Sequence, residues 1–238
     1  MRVRDKGGYV LNELKLRHET KHDIRYSEYL AIRSRLQAIA EYDRNAGEQG
    51  TYRIRSLYFD NYNDKALREK LDGVYMREKF RIRYYNDDLN VIHLEKKTKI
   101  GGLGNKQSQA ITKEEVQRIL NGDIEFLKDS KKALLVEFYS KMKYQLLKPR
   151  VVVEYVREPY IYKTGNVRIT FDTNIKSGLY NRDFLNENIP GIEAGTQNGI
   201  LMEVKYDAFL PEIIAQCIQV NERSGAAFSK YAACRRFG

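Results

Sequence analysis

Charged and apolar residues alternate along several stretches of this chain, the pattern of strands whose two faces meet different surroundings. In Arg77-Glu78-Lys79-Phe80-Arg81-Ile82-Arg83 the odd positions are all basic, and the even positions carry Glu78, Phe80 and Ile82. In His93-Leu94-Glu95-Lys96-Lys97, Glu95 and Lys97 share the face opposite Leu94. Arg168, Thr170 and Asp172 oppose Val167, Ile169 and Phe171, and Glu203 and Lys205 oppose Met202 and Val204. Strands are predicted over 9–21, 52–60, 75–85, 91–99, 151–157, 167–172 and 201–206.

Helical spacing appears elsewhere. Tyr29, Ile32, Leu36, Ile39 and Ala40 fall on one face, so a helix capped by Ser27 is predicted to run to about Glu41. Thr112 and Glu115 form a capping box for a short helix ending near Asn121-Gly122. A further helix is predicted over 130–146, and Pro211 opens one that ends at Gly225. Residues 43–51 and 176–199 read as loops, Gly101-Gly102-Leu103-Gly104 as a flexible loop, and Phe228-Ser229-Lys230-Tyr231 receives no assignment.

About eight strands and three or four helices without regular alternation argue against a parallel α/β sheet. The predicted fold class is α+β, a closed antiparallel eight-stranded β-barrel with helices packed outside. No internal repeat or low-complexity linker divides the chain, and none of its four prolines lies in a separating run, so 1–238 reads as a single domain. In a barrel with helices on the apolar faces, the charged faces point inward. Fixed cations facing one another need an anion between them.

The balance of charge fits such an anion. Lys and Arg outnumber Asp and Glu by 42 to 32, a surplus that points to nucleic acid, acidic lipid, nucleotide or polyphosphate. The basic face from Arg77 to Arg83 carries no aromatic residue for base stacking, which ranks nucleic acid last. Cys217 and Cys234 form no CxxC pair and have no His cluster beside them, which argues against zinc and a disulfide framework; a reduced, cytoplasmic pair of packing residues is expected. No apolar run approaches the roughly 20 residues of a membrane span, so work at a membrane would need a partner to recruit the chain. There is no GxxxxGK[ST] loop and no Ser-His-Asp or Cys-His order.

Several segments, in order, carry a family resemblance. They are Arg17-His18-Glu19-Thr20-Lys21, Ser56-Leu57-Tyr58-Phe59-Asp60, Arg77-x-Lys79-x-Arg81-x-Arg83-x-Tyr85, and Leu94-Glu95-x-Lys97 followed by Lys106. Tyr155-x-Arg157, Val167 to Asp172, Leu201-Met202-Glu203-Val204-Lys205 and Phe228-Ser229-Lys230-Tyr231 complete the set. From about residue 17 to 231 the chain resembles the polyphosphate polymerase domain of the vacuolar transporter chaperone (VTC) family. That family lies within the triphosphate tunnel metalloenzymes, beside CYTH phosphatases and class IV adenylate cyclases.

The resemblance implies a metal-dependent phosphotransferase using ATP and inorganic polyphosphate. Lys21, Arg81, Arg83, Lys97, Lys106, Arg157, Arg168 and Lys230 match the phosphate-binding tunnel residues, and Glu203 matches the carboxylate that binds Mn²⁺ or Mg²⁺. Arg81, Arg83, Arg157, Arg168 and Lys97 would carry the catalytic electrostatics, the guanidinium groups as planar forks and the lysine as a point charge. Glu19, Glu95, Glu154 and Asp172 are expected to balance charge. His22 stands where family members often have Tyr. The hydrolytic and cyclase branches open with E-x-E-x-K, and Lys21 is read at the second carboxylate position, which favours the polymerase over a tunnel triphosphatase. A polyphosphate- or inositol-phosphate-binding module without turnover is the non-enzymatic alternative.

Overall fold

The computed structural model describes residues 16–178, 184–219 and 228–236. One antiparallel sheet forms the body. Its main strands are β1 (His18–Ile24), β3 (Tyr52–Asp60), β4 (Met76–Tyr85), β5 (Asp88–Ile100), β6 (Leu103–Ile111), β7 (Lys148–Tyr162), β8 (Val167–Gly178) and β10 (Ile200–Tyr206). They neighbour one another in the order β1-β10-β8-β7-β3-β4-β5-β6. Two short strands, β2 (Glu41–Tyr42) and β9 (Gly191–Glu193), attach to β7 and β8. The helices are α1 (Tyr26–Gln37), α2 (Lys65–Leu71), α3 (Lys113–Leu120), α4 (Ala133–Tyr144), α5 (Glu212–Cys217) and α6 (Lys230–Cys234).

The antiparallel α+β class is as expected, but the sheet is not a closed barrel. Among the described residues, its two ends, β1 and β6, are joined in backbone pairing through Arg17 and Gly104 alone, with N···O distances of 3.1 and 3.0 Å. The reason is register. Gly104 is the second residue of β6, so pairing that continued forward along β1 would run off the strand into the Gly101-Gly102 turn.

Where the strands alternate, the apolar faces lie under helices. Phe80, Ile82 and Leu94 are buried with Val116 and Ile119 of α3 and Leu135 and Phe138 of α4. Val167, Ile169, Phe171, Met202 and Val204 are buried with Ile32 and Leu36 of α1 and Ile214 of α5. The opposite faces of these strands carry the charge, as the sequence pattern predicts.

Several boundaries differ from expectation. The described part of the opening strand begins at His18, and residues 9–15 lie outside the described region. Helix α1 starts before Ser27, because the Glu28 carboxylate accepts from the Arg25 amide at 2.7 Å and closes the helix start there. It ends at Gln37, since Glu41 and Tyr42 pair with Ile161 and Tyr160 of β7. Gly101 and Gly102 form a tight two-residue turn, both with positive φ, that registers Ile100 opposite Leu103. Lys106 therefore lies in a strand, not beyond a flexible loop. Loop 176–199 contains the end of β8 and all of β9. Helix α5 stops at Cys217, and Gly225 lies outside the described residues. The sequence reading contained no counterpart of α2 or α6.

Phe138 sits between Phe59, with ring centroids 5.0 Å apart, and Phe80, at 5.4 Å. A Phe138→Ala substitution is expected to lower unfolding free energy by about 3–5 kcal/mol, measured by urea denaturation.

Candidate functional site

The polar strand faces enclose a cavity of about 350 Å³. Eleven Lys and Arg side chains line it, against two carboxylates, Glu19 and Glu203. Period-two alternation places Arg77, Lys79, Arg81 and Arg83 on one face of β4, and Lys97 and Lys99 on one face of β5. Strand β1 contributes Glu19 and Lys21, β7 contributes Tyr155 and Arg157, and β10 contributes Glu203 and Lys205.

Glu203 is the central carboxylate. It is 5% exposed and accepts from Lys230 at 2.8 Å, Lys21 at 3.2 Å, Lys205 at 3.3 Å and Arg157 at 3.4 Å. Against burial, which would raise it, Lys21, Lys230, Lys205 and Arg157 hold its carboxyl well below the usual carboxylate range. Behind it Asp172 is fully buried and takes Arg157 Nε at 2.6 Å and Nη2 at 2.7 Å, with Lys230 Nζ at 2.5 Å. Glu95 is a second node, accepting from Arg81 at 2.7 Å and Lys106 at 2.9 Å. Arg83 donates to Ser56 Oγ at 2.8 Å and to the Tyr155 hydroxyl at 3.2 Å. Glu19 joins Lys97 at 2.8 Å to Lys21 at 3.3 Å.

Lys230 reaches this set from a helix near the end of the chain, and Asp60 fixes that helix. The Tyr231 hydroxyl donates to Asp60 Oδ2 at 2.6 Å, while the same carboxylate accepts from the Ala66 and Leu67 amides at 2.9 and 3.1 Å. One buried carboxylate at the end of β3 thus ties α2 and α6 to the sheet.

Of the positions singled out from sequence, Lys21, Arg81, Arg83, Lys97, Arg157, Lys230 and Glu203 come together on the cavity. Two do not line it. Lys106 is largely exposed and reaches Glu95 from the far side of β5. Arg168 turns to Asp43 at 2.6 Å and to the Tyr52 hydroxyl at 2.7 Å. Glu19, Glu95, Asp172 and Glu154 each balance a cation as expected, Glu154 by pairing with Arg55 at 2.6 Å away from the cavity lining. Cys234 is fully buried, and burial pushes its thiol up to about 12.

Spacing also corrects the reading of the opening motif. Residues 17, 19 and 21 share one face, so the position that departs from E-x-E-x-K is Arg17; Glu19 and Lys21 keep theirs. Arg17 turns to Asp207 at 2.8 Å.

Lys79, Lys99 and Lys205 extend the alternation already visible in their strands and could have been taken from it. Lys70 could not, because it enters from α2, a short helix without alternating charge whose first amides are held by the Asp60 carboxylate at the end of β3.

The donor set limits what cation the cavity holds. Among the described residues no group of three or more His, Cys, Asp or Glu is placed to bind a metal ion. Glu203 offers a single carboxylate whose oxygens already accept from Lys and Arg. A divalent cation fits here only if ligand oxygens and water supply most of its shell.

A family model described as the VTC domain matches residues 16–237. No curated protein matches the chain. Among solved structures, a putative adenylate cyclase from Bacillus halodurans is similar at 15% identity over 84% of this chain and 86% of that one, with a TM-score of 0.46. One from Vibrio parahaemolyticus is similar at 10% identity over 86% and 83%, with a TM-score of 0.44. A Pyrococcus horikoshii protein is similar at 13% identity over 85% and 84%, with a TM-score of 0.41.

Half-buried Lys79 provides a pH test. Burial, and then Lys97, Lys21, Lys70 and Arg77, push its ammonium down to about 7. Between there and the ordinary lysine value of about 10.4, the unfolded chain binds more protons at this residue, so Lys79 makes stability rise with pH across that window. An anion that fills the cavity favours the charged amine. Tripolyphosphate binding at pH 8 is therefore expected to take up protons, read by calorimetry in buffers of different ionisation enthalpy. Lys79→Gln should reduce that uptake.

Proposed function

The chain belongs to the VTC domain family, and on that premise we propose that it is a polyphosphate polymerase, transferring the terminal phosphoryl group of ATP to an inorganic polyphosphate chain and releasing ADP. The observation that carries this reading is the cavity's imbalance of eleven cations against two carboxylates. Such a space suits a ligand with many closely spaced negative charges.

In the proposed step a terminal oxygen of the polyphosphate chain attacks the γ-phosphorus of ATP. A new P–O bond forms, the bond to the β–γ bridging oxygen breaks, and its electron pair leaves with ADP. The attacking oxygen is already ionised at neutral pH, so the step needs no strong general base, and catalysis rests on positioning and charge neutralisation. Arg81, Arg83 and Arg157 offer forks to non-bridging oxygens, while Lys21, Lys97 and Lys230 add point charges. Arg83 is held by Ser56 and Tyr155, and Arg157 by Asp172, so these forks are oriented before substrate arrives. Arg168 and Lys106, set off the cavity lining, would act through Asp43 and Glu95 instead of touching the reacting phosphates. Glu203 would hold a Mn²⁺ or Mg²⁺ that arrives with the phosphates, and the ion would neutralise charge on their oxygens.

The proposed setting is the cytoplasm, with a membrane-protein partner for any work at a membrane. Among the described residues no helix is long and apolar enough to cross one.

The test is incubation of purified protein with ATP, Mn²⁺ and a short polyphosphate primer, following ADP and polymer length together. ADP with a lengthening polymer is expected, reduced about 10²–10³-fold in Arg83→Ala and Glu203→Ala. ADP with free phosphate and no polymer would make the chain a triphosphatase. Primer binding without turnover would leave a polyanion-binding module.

A further inference from the structure

Seven of the cavity's eleven cations fall into two sets by what stands opposite them across the strands. In the first set a cation meets a carboxylate. Lys21 pairs with Glu203 across β1 and β10, Arg81 with Glu95 across β4 and β5, and Arg157 with Asp172 across β7 and β8. In the second set a cation meets a cation. Arg77 is the cross-strand partner of Lys99, and Lys79 the partner of Lys97. Like charges directly opposite destabilise a sheet. Glu19 relieves Lys97 at 2.8 Å, but among the described residues Arg77, Lys79, Lys99 and the nearby Lys70 form no ion pair and still line the cavity. Burial first, and then neighbouring cations, hold the Lys70 and Lys79 ammonium groups below their ordinary value, and burial does the same for Lys99 although Glu19 partly offsets it. Lys79 Nζ lies 4.7 Å from the Tyr231 ring centroid and Arg77 donates to the Val74 carbonyl at 2.7 Å, but among the described residues no carboxylate stands within ion-pair distance of these four side chains.

We propose that Lys70, Arg77, Lys79 and Lys99 form a second anion subsite, which takes the phosphate units of a linear chain that extend beyond the carboxylate-paired cations. The inference rests on the polyanion reading of the cavity and adds length selection to it. Arg77 lies four residues from Arg81 on β4, roughly 13 Å along the strand. Three linked phosphate groups cover less than that. A short anion seated among Arg81, Arg83 and Arg157 therefore leaves the second set in repulsion, and a longer chain relieves it. The affinity gained with length comes from removing that repulsion as well as from new contacts.

The experiment is calorimetric titration of the full chain with tripolyphosphate and with long-chain polyphosphate, at one salt concentration, for the wild type and an Arg77→Gln/Lys99→Gln double variant. The double variant is expected to lose about tenfold or more in long-chain affinity beyond any loss for tripolyphosphate. Its Tm without anion should rise, because a like-charge pair has been removed. Equal losses for the two anions would overturn the subsite, and so would a fall in Tm, which would mean that the pair is not in repulsion. If the wild type bound neither anion, the polyanion reading of the cavity would itself fail, a result distinct from equal losses.

Discussion

Glu203 holds four cations at once, and the cavity depends on buried carboxylates used in this way. Removing one partner of a buried ion pair leaves an uncompensated charge and is strongly destabilising. Glu203, Asp172 and Glu95 each take at least two cationic side chains, so a few anions fix many more cations in place. The pairs are set by strand register. Lys21 stands opposite Glu203, Arg157 opposite Asp172 and Arg81 opposite Glu95. A slip of one residue would turn every charged face toward the helices and every apolar face into the cavity. The cores and the charged interior therefore specify the same register from opposite sides of the sheet.

Elements outside the sheet complete the arrangement. Lys230 is far from Glu203 and Asp172 in sequence and reaches both because Tyr231 is hydrogen-bonded to Asp60 and packs on Tyr58, with ring centroids 5.2 Å apart. Asp60 also caps α2, which brings Lys70 to the cavity. On the sheet face away from the cavity, buried Arg55 donates to the backbone oxygens of Asn186 and Glu187 and to the Tyr84 hydroxyl, anchoring the segment that holds those two residues against the sheet. Much of the polar chemistry of this protein thus secures pieces of chain that carry or shield the cationic interior.

The family likeness and the geometry bear on function in different ways. The family assignment rests on residues 16–237 together. The geometry identifies a concave, cation-rich space with guanidinium groups already oriented by hydroxyls and carboxylates. It also shows that this space lacks a multidentate protein metal site among the described residues. A divalent cation here would be bound chiefly through its ligand, with Glu203 as the protein's contribution.

The sequence by itself determined the alternation and hence which face of each strand is charged. Period two needs no tertiary information, and Phe80, Ile82, Leu94, Ile169 and Met202 are buried opposite polar neighbours as that period requires. It also carried the Thr112 capping box, whose bonds are local, with Glu115 donating to Thr112 Oγ1 at 3.1 Å and Thr112 donating to Glu115 at 2.7 Å. Most of the cavity lysines and arginines were legible for the same reason. The tertiary structure decided the rest. Whether the sheet closes depends on the one register between β1 and β6, which neither strand encodes alone. Arg168 and Lys106 obey the same alternation as the lining cations, but position along the strand sets them beside Asp43 and Glu95. Helices α2 and α6 are short and weakly patterned, and their placement depends on one carboxylate of β3. Long-range hydrogen bonds and strand register leave no local period in a sequence, so only the folded chain could reveal them.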